Sequence, residues 1–303
     1  MLESSNVEAD IPGSQKQKPE KIKKQSQFFE TMKRLRKNKA ATLGLLITLV
    51  FFLVAIFAPI IAPYGYREMN AAHSNSTPSR EHIFGCDDLG RDIFSRVLYG
   101  SRWSIGLGLA ATAFGLLFGI ILGCIAGYYG GFVENLIMRI SDILQSIPAI
   151  LLQIIISAAL GSGFFFTVIA LGFTRITLSC RLLRAQFLVI REQEFVEAAK
   201  ALNVSSLRLV LKHILPNAIM PLIVTSTMGI GRTIMSAAAL SYLGLGIQPP
   251  TPEWGAMLSD ARRYIRYYPH MALVPGLCIA IFVLAMNLLG DGLRDALDPK
   301  LKS

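Results

Sequence analysis

The run from Ala40 to Ala62 contains no charged residue. About 20 such residues are what a helix needs to cross a bilayer core roughly 30 Å thick. A backbone surrounded by lipid has no water to bond, so a segment of this kind has to satisfy its own amides as a helix. The run is too long for the core of a signal peptide and reads as a retained span. Five more apolar stretches come after it, at about Ser101 to Tyr128, Phe132 to Leu160, Gly163 to Arg181, Ile214 to Gly246 and His270 to Leu289. The expectation is an all-α polytopic membrane protein with six transmembrane helices. A chain that is 52% hydrophobic and only 17% charged belongs in that class.

The net charge of +10 does not point to nucleic acid. Much of the excess lies in the first 39 residues and around residues 190–214, beside apolar spans, where Lys and Arg mark the cytoplasmic side. The chain therefore divides into a basic cytoplasmic arm (1–39), a first span (40–62), an extracytoplasmic segment (63–100), a core (101–292) and a cytoplasmic tail (293–303). Within the arm, Gln27 to Lys39 can form a short basic helix on the membrane surface. Both termini are expected in the cytoplasm.

Little in the polar segments suggests metal or redox chemistry. Cys124, Cys180 and Cys278 lie in or near spans and Cys86 stands alone, so no disulfide framework or CxxC pattern exists. His73, His82, His213 and His270 show no ligand spacing; His73 and His82 read as solvated loop residues. Asp87, Asp88 and Asp92 are close together, but Leu89 and Arg91 interrupt any calcium-loop pattern. Asp88 instead reads as the cap of a helix whose apolar side is Ile93, Phe94, Val97 and Leu98.

Inside the spans, Gly115, Gly119, Gly123 and Gly127 recur every four residues. A stripe without side chains lets helix backbones approach closely in lipid, within the subunit or against a partner. Glu134, Arg139, Asp142 and Gln145 crowd the start of the third span, and Pro148 bends it. Arg175 lies inside the fourth span, where a cation must find protein, water or headgroups. It either snorkels to the cytoplasmic headgroups or lines a transport path and attracts an anionic group. Gln248 to Pro269, polar with aromatics, suits the outer interface.

Between the fourth and fifth spans lies a charged island, Glu194 to Pro216. Phe195, Ala198, Ala199 and Leu202 fall at i, i+3, i+4 and i+7, and Leu207, Val210, Leu211 and Ile214 repeat that spacing. Asn203, between the two runs, suits a left-handed stop, and Ser205 or Ser206 can cap the second helix. The island reads as helix, turn, helix. Its small Ala198-Ala199 pair, flanked by Glu194 and Glu197, would let another surface come close.

The chain has no G-x-x-x-x-G-K-[ST] to cradle ATP phosphates, no HExxH and no arguable Ser-His-Asp set. What remains is a six-span protein with a docking hairpin and no engine. Glu197-Ala198-Ala199, together with Ile214-Leu215-Pro216 downstream, resembles the EAA loop of ABC importer permeases. Asn203 stands where that family has Gly, and His213 where it has Ile. F-G-C-D-D-L-G-R-D-I-F-S-R-V-L-Y-G, A-G-Y-Y-G-G, K-H-I-L-P-N, L-S-Y-L-G-L-G-I-Q-P-P-T-P-E-W-G-A-M-L and N-L-L-G-D-G-L-R-D-A-L-D-P-K resemble the dipeptide/oligopeptide/nickel branch. The likeness covers nearly everything after residue 30 and is closest to the C-type permease of the pair.

The resemblance implies a type I ABC importer permease in a bacterial inner membrane. It implies a second permease subunit, two cytoplasmic ATPases that bind the ATP and Mg, a solute-binding protein, and no cofactor in this chain. It also implies that Glu194, Glu197, Ala198, Ala199, Asn203, Leu215 and Pro216 couple to an ATPase while short peptides, most simply dipeptides, cross by alternating access. Oligopeptides, glutathione and nickel chelates are the alternative cargoes. A stand-alone channel or secondary transporter would need midplane ionisable groups and inverted repeats, of which Arg175 alone is evident. A membrane enzyme would need a catalytic cluster that is absent.

Overall fold

The computed structural model describes residues 35–297. The expectations for the basic arm up to residue 34, and for the tail after residue 297, lie outside the described residues. The long helices are α1 (Lys39–Ile61), α2 (Ile93–Tyr129), α5 (Phe164–Ile190), α7 (Met220–Tyr242) and α9 (His270–Leu297). Shorter ones are α3 (Gly131–Ser146), α4 (Ala149–Leu160), α6 (Glu194–Ala201) and α8 (Trp254–Ala261). Among the described residues there is no named strand, as the all-α expectation requires.

Asn38 starts α1. Its side-chain oxygen accepts from the amides of Ala40 (3.0 Å) and Ala41 (3.2 Å), two donors a helix start would leave orphaned. Leu46, Leu49, Val50, Leu53, Ile56 and Ile60 of α1 point away from the protein. An apolar outer face of this kind belongs in lipid.

The glycine stripe packs within the subunit, the first of the two arrangements its spacing allows. A Cβ at Gly115 would stand 2.6 Å from the Cβ of Arg175, and one at Gly123 would stand 2.9 Å from that of Leu183. Gly119 and Gly127 lie equally hard against Ser179 and Phe187. Gly172 does the same from the other side, opening α5 to Phe114 and to the Ala111 carbonyl. Because 115, 119, 123, 127 meet 175, 179, 183, 187 in the same order, α2 and α5 run parallel.

That direction makes the third span a true crossing. Phe164, at the start of α5, lies against Trp103, with ring centroids 5.9 Å apart. After α2 ends at Tyr129 the chain must therefore return some 26 residues' worth of axis, roughly 39 Å. The bent pair α3 and α4 carries it. Pro148 does more than bend this span as expected: it breaks it into two helices at 93°. Ile147 just before it is extended, as a residue preceding proline prefers (φ −87°, ψ 128°). Two ion pairs, Arg181 with Asp142 (2.6 Å) and Arg184 with Glu134, tie α3 to α5.

Several boundaries differ from the sequence expectations. Helix α2 is 37 residues long and begins at Ile93, eight residues before the expected span. Its cap is Asp92, not Asp88: the Asp92 carboxylate accepts from the Ser95 amide at 2.7 Å. Asp87 is occupied by Arg91, whose Nε donates to it at 2.6 Å, and by Arg96 at 3.4 Å. These aspartates thus serve the protein's own donors. Helix α9 continues through Asp295, which accepts from the Asn38 side chain at 3.3 Å, so residues 293–297 belong to the bundle and not to a tail.

The outer loops are also less solvated than their polarity suggested. Cys86 is fully buried, and burial pushes its thiol above the ordinary value. His82 is buried against Asp92 and His73. Trp254, expected at the water interface, packs inward with Phe51 and Phe282, and its indole N–H donates to the Val97 carbonyl at 3.1 Å.

Overpacking of the glycine seam is directly testable. Gly119→Val should cost about 1–3 kcal/mol and lower the melting temperature of the purified protein. Gly106→Ala, whose Cβ would meet nothing within 4 Å, should leave melting unchanged. Equal melting of both variants would refute the contact.

Candidate coupling hairpin and span cations

The island between α5 and α7 folds as helix, turn, helix, with its stop where the sequence put it. Helix α6 spans Glu194–Ala201 and ends at Leu202. Asn203 adopts φ 56°, the left-handed conformation that a short polar side chain tolerates best after glycine. The Asn203 amide donates to the Lys200 carbonyl (2.9 Å), and the Val204 amide to the Ala199 carbonyl (3.2 Å). These two bonds form a Schellman stop and satisfy the last carbonyls of α6. Ser205 precedes the next turn, Ser206–Arg208, but its side chain makes no capping bond.

The return helix is irregular. From Leu209 to Ile214 the winding widens, and the Leu215 amide reaches back five residues to the Val210 carbonyl. Pro216 stands at the start of Leu215–Ala218, with no N–H to continue a normal ladder. Asn217 donates its side-chain N–H to the His213 carbonyl at 2.7 Å. A wide turn of this type re-aims the residues after it.

The apolar residues of the hairpin divide between two faces, where the sequence spacing had grouped them on one. Val196, Ala199, Leu209, Val210 and Ile214 are buried with Leu183, Phe187 and Ile190 of α5 and Leu222 of α7. Phe195, Leu207 and Leu211 point outward, as does Leu202, which is 80% exposed. Ala198 belongs to the outward face and Ala199 to the inward one. The Ala198-Ala199 pair therefore cannot act as one docking surface: Ala199 anchors the hairpin and Ala198 is presented. Glu194 and Glu197 are exposed beside it, Leu215 is half-buried and Pro216 exposed.

Of the two destinations considered for Arg175, the headgroups are not the one it takes. Its Nη1 donates to the Gly229 carbonyl (3.1 Å) and to Thr233 Oγ1 (3.3 Å) on α7. Gly229 leaves the room: a Cβ there would collide with the guanidinium. A second cation was missed in the sequence. Arg232 sits near the middle of the 23-residue α7, is exposed, and has no hydrogen bond or ion pair among the described residues. The signal was legible, since a lone arginine at a span centre should face protein or water.

A helical bundle of six crossings, with an anchored polar hairpin that presents an apolar row, is the architecture of a membrane transport permease. The chain belongs to the family described as binding-protein-dependent transport system inner membrane component, which matches residues 119–303. Residues 26–78 match the N-terminal TM domain of oligopeptide transport permease C. The Dipeptide transport system permease protein DppC of Alkalihalophilus pseudofirmus is 48% identical over 92% of this chain and 91% of its own. The Glutathione transport system permease protein GsiD of Shigella flexneri serotype 5b is 48% identical over 94% of each chain.

Two solved structures share the fold. The inward-facing MetNI methionine ABC transporter aligns with TM-score 0.54 at 18% identity, over 67% of this chain and 97% of that one. An amino acid ABC transporter with histidines aligns with TM-score 0.52 at 14% identity, over 65% and 92%. The protein is thus an ABC importer permease of the dipeptide/oligopeptide branch, a transport subunit.

Position 203 separates the stop from the side chain that makes it. Asn203→Gly should retain the stability of the hairpin, whereas Asn203→Val should cost about 1–2 kcal/mol from the strained left-handed backbone. Faster proteolytic cleavage within 190–214 in the valine variant alone would show the difference.

Proposed function

We propose that this chain is one of two membrane subunits of an ATP-driven importer of short peptides, and that a cytoplasmic ATPase grips it at the hairpin Glu194–Pro216. The observation that carries the reading is the hairpin's outward row, Phe195, Ala198, Leu202, Leu207 and Leu211, on a segment whose other face is locked into the bundle. A patch of this kind on a polar hairpin fits a partner. Because Val196, Ala199, Val210 and Ile214 pack on α5 and α7, a push on the outward row moves both spans as one body. Glu194, Glu197 and Asn203 shape the entry to that row, and Leu215 and Pro216 pass its motion into α7. ATP and Mg bind to the partner ATPases, and this chain needs no cofactor of its own.

With six crossings, the start of α1, the end of α9 and the hairpin share one side. The basic residues of the arm and of the island make that side the cytoplasm, with the protein in the inner membrane of a bacterium. The remaining partners are a homologous second permease and a solute-binding protein on the far side; no nucleic acid is involved.

The cargo is argued from the relatives and from charge. Dipeptides and glutathione, named in the two relatives, are both short peptides with free carboxylates. Exposed Arg232, next along α7 to the Thr233 that holds Arg175, supplies a positive potential at mid-membrane. We assign Arg232 to the path, where it attracts a peptide carboxylate; Arg175, held by Gly229 and Thr233, is the fixed charge behind it.

In the assembled importer, Ala198→Glu should abolish peptide uptake and its coupled ATP hydrolysis while permease yield is unchanged. Ala199→Glu should instead lower the yield, since it buries a charge. Uptake at the normal rate with Ala198→Glu would count against the docking role. Arg232→Gln should slow uptake of peptides with a free C-terminal carboxylate more than of their amides; equal slowing would remove it from the path.

A further inference from the structure

The segment between α1 and α2 brings together side chains that its sequence spacing does not suggest. Nε2 of His82 lies 3.1 Å from Nδ1 of His73. The Glu81 carboxylate offers a third ligand atom, all three lying within 4.8 Å of one another. On its other side, Nδ1 of His82 is 2.9 Å from Oδ1 of Asp92. The second Asp92 oxygen is already committed, accepting from the Ser95 amide at the start of α2. His82 and Asp92 are both buried, and the Tyr64 ring lies against the imidazole at 4.9 Å.

From this geometry we propose that His73, His82 and Glu81 form a binding site for a divalent transition-metal ion of the zinc type. Asp92 accepts the proton on Nδ1 of His82, which leaves Nε2 as a lone pair aimed at His73. A ligating histidine commonly has its other nitrogen on a carboxylate in this way, which fixes both tautomer and ring direction. Two imidazole nitrogens bound tetrahedrally at 2.0–2.1 Å from one ion are about 3.3 Å apart, close to the separation found. Two nitrogens and one carboxylate oxygen favour zinc over calcium or magnesium, which prefer all-oxygen shells. Glu81 is exposed and can swing onto the ion, leaving a fourth position for water.

Such an ion would join three pieces of the outer segment. His73 ends the short turn Ala71–His73, Glu81 and His82 lie in the next loop, and Asp92 caps α2. Metal binding would therefore clamp the loop onto the start of the helix that carries the glycine seam. This site is independent of the hairpin and of Arg232, so its test leaves the transport reading untouched.

The test is titration of the chelator-treated, full-length permease in its complex with Zn2+, monitored by calorimetry and by proteolysis within residues 63–92. One high-affinity zinc ion per chain, slowing cleavage of that segment, is the expected result. His73→Ala together with Glu81→Gln should abolish it; neither side chain is buried like His82, so the double variant should fold. Asp92→Asn, which still caps α2, should weaken binding roughly 10- to 100-fold. His213→Ala should change nothing. Absence of zinc binding by the unaltered complex, or binding that survives His73→Ala with Glu81→Gln, would overturn the proposal and leave a metal-free His-His-Asp hydrogen-bond chain.

Discussion

The close approach of α2 and α5 is the contact on which the rest of the bundle depends. With hydrogen where side chains would stand at Gly115, Gly119, Gly123 and Gly127, the two backbones meet the Cβ atoms of Arg175, Ser179, Leu183 and Phe187. In lipid there is no hydrophobic gain from pressing apolar surfaces together, so dense van der Waals contact of this sort does the joining. Because the two helices run parallel, the segment between them has to recross the membrane. The break at Pro148 and the ion pairs of Glu134 and Asp142 with α5 are consequences of that return path.

The same seam sets the positions of the buried cation and of the hairpin. Arg175 leaves α5 beside Gly115 and reaches α7 through the gap at Gly229. Phe187 and Leu183, nearer the hairpin along α5, form the floor on which Val196, Ala199 and Val210 rest. Seam, buried cation and hairpin are successive levels of one packed stack. The hairpin is accordingly packed on α5 and α7 together, so the proposed docking role would load both spans at once.

The polar ends of the bundle obey a different logic. On the outer side, buried Glu253 accepts from the Ser104 hydroxyl and from the amides of Gly255 and Ala256, so its side chain caps α8 and ties it to α2. Arg91 and Arg96 share Asp87, and His82 shares Asp92 with the start of α2. Each of these buried ionisable groups answers a partner, as the cost of burying an unpaired charge demands.

Six crossings, the helix-turn-helix and its left-handed stop at Asn203 could all be read along the chain. Each depends on local matters: the length of an apolar run, a helical spacing, a backbone conformation that few residues tolerate. Contacts between distant segments could not be read in this way. Spacing placed Phe195, Ala198, Ala199 and Leu202 on one stripe, but only packing against α5 separates the inward Ala199 from the outward Ala198. The glycine stripe announced a close neighbour without naming it. His73 and His82, nine residues apart in a polar loop, looked solvated until Asp92 and the turn before it closed around them. Local patterns constrain what each segment can be; which side chains meet, and which face remains free, depends on how segments far apart in sequence fill the space between them.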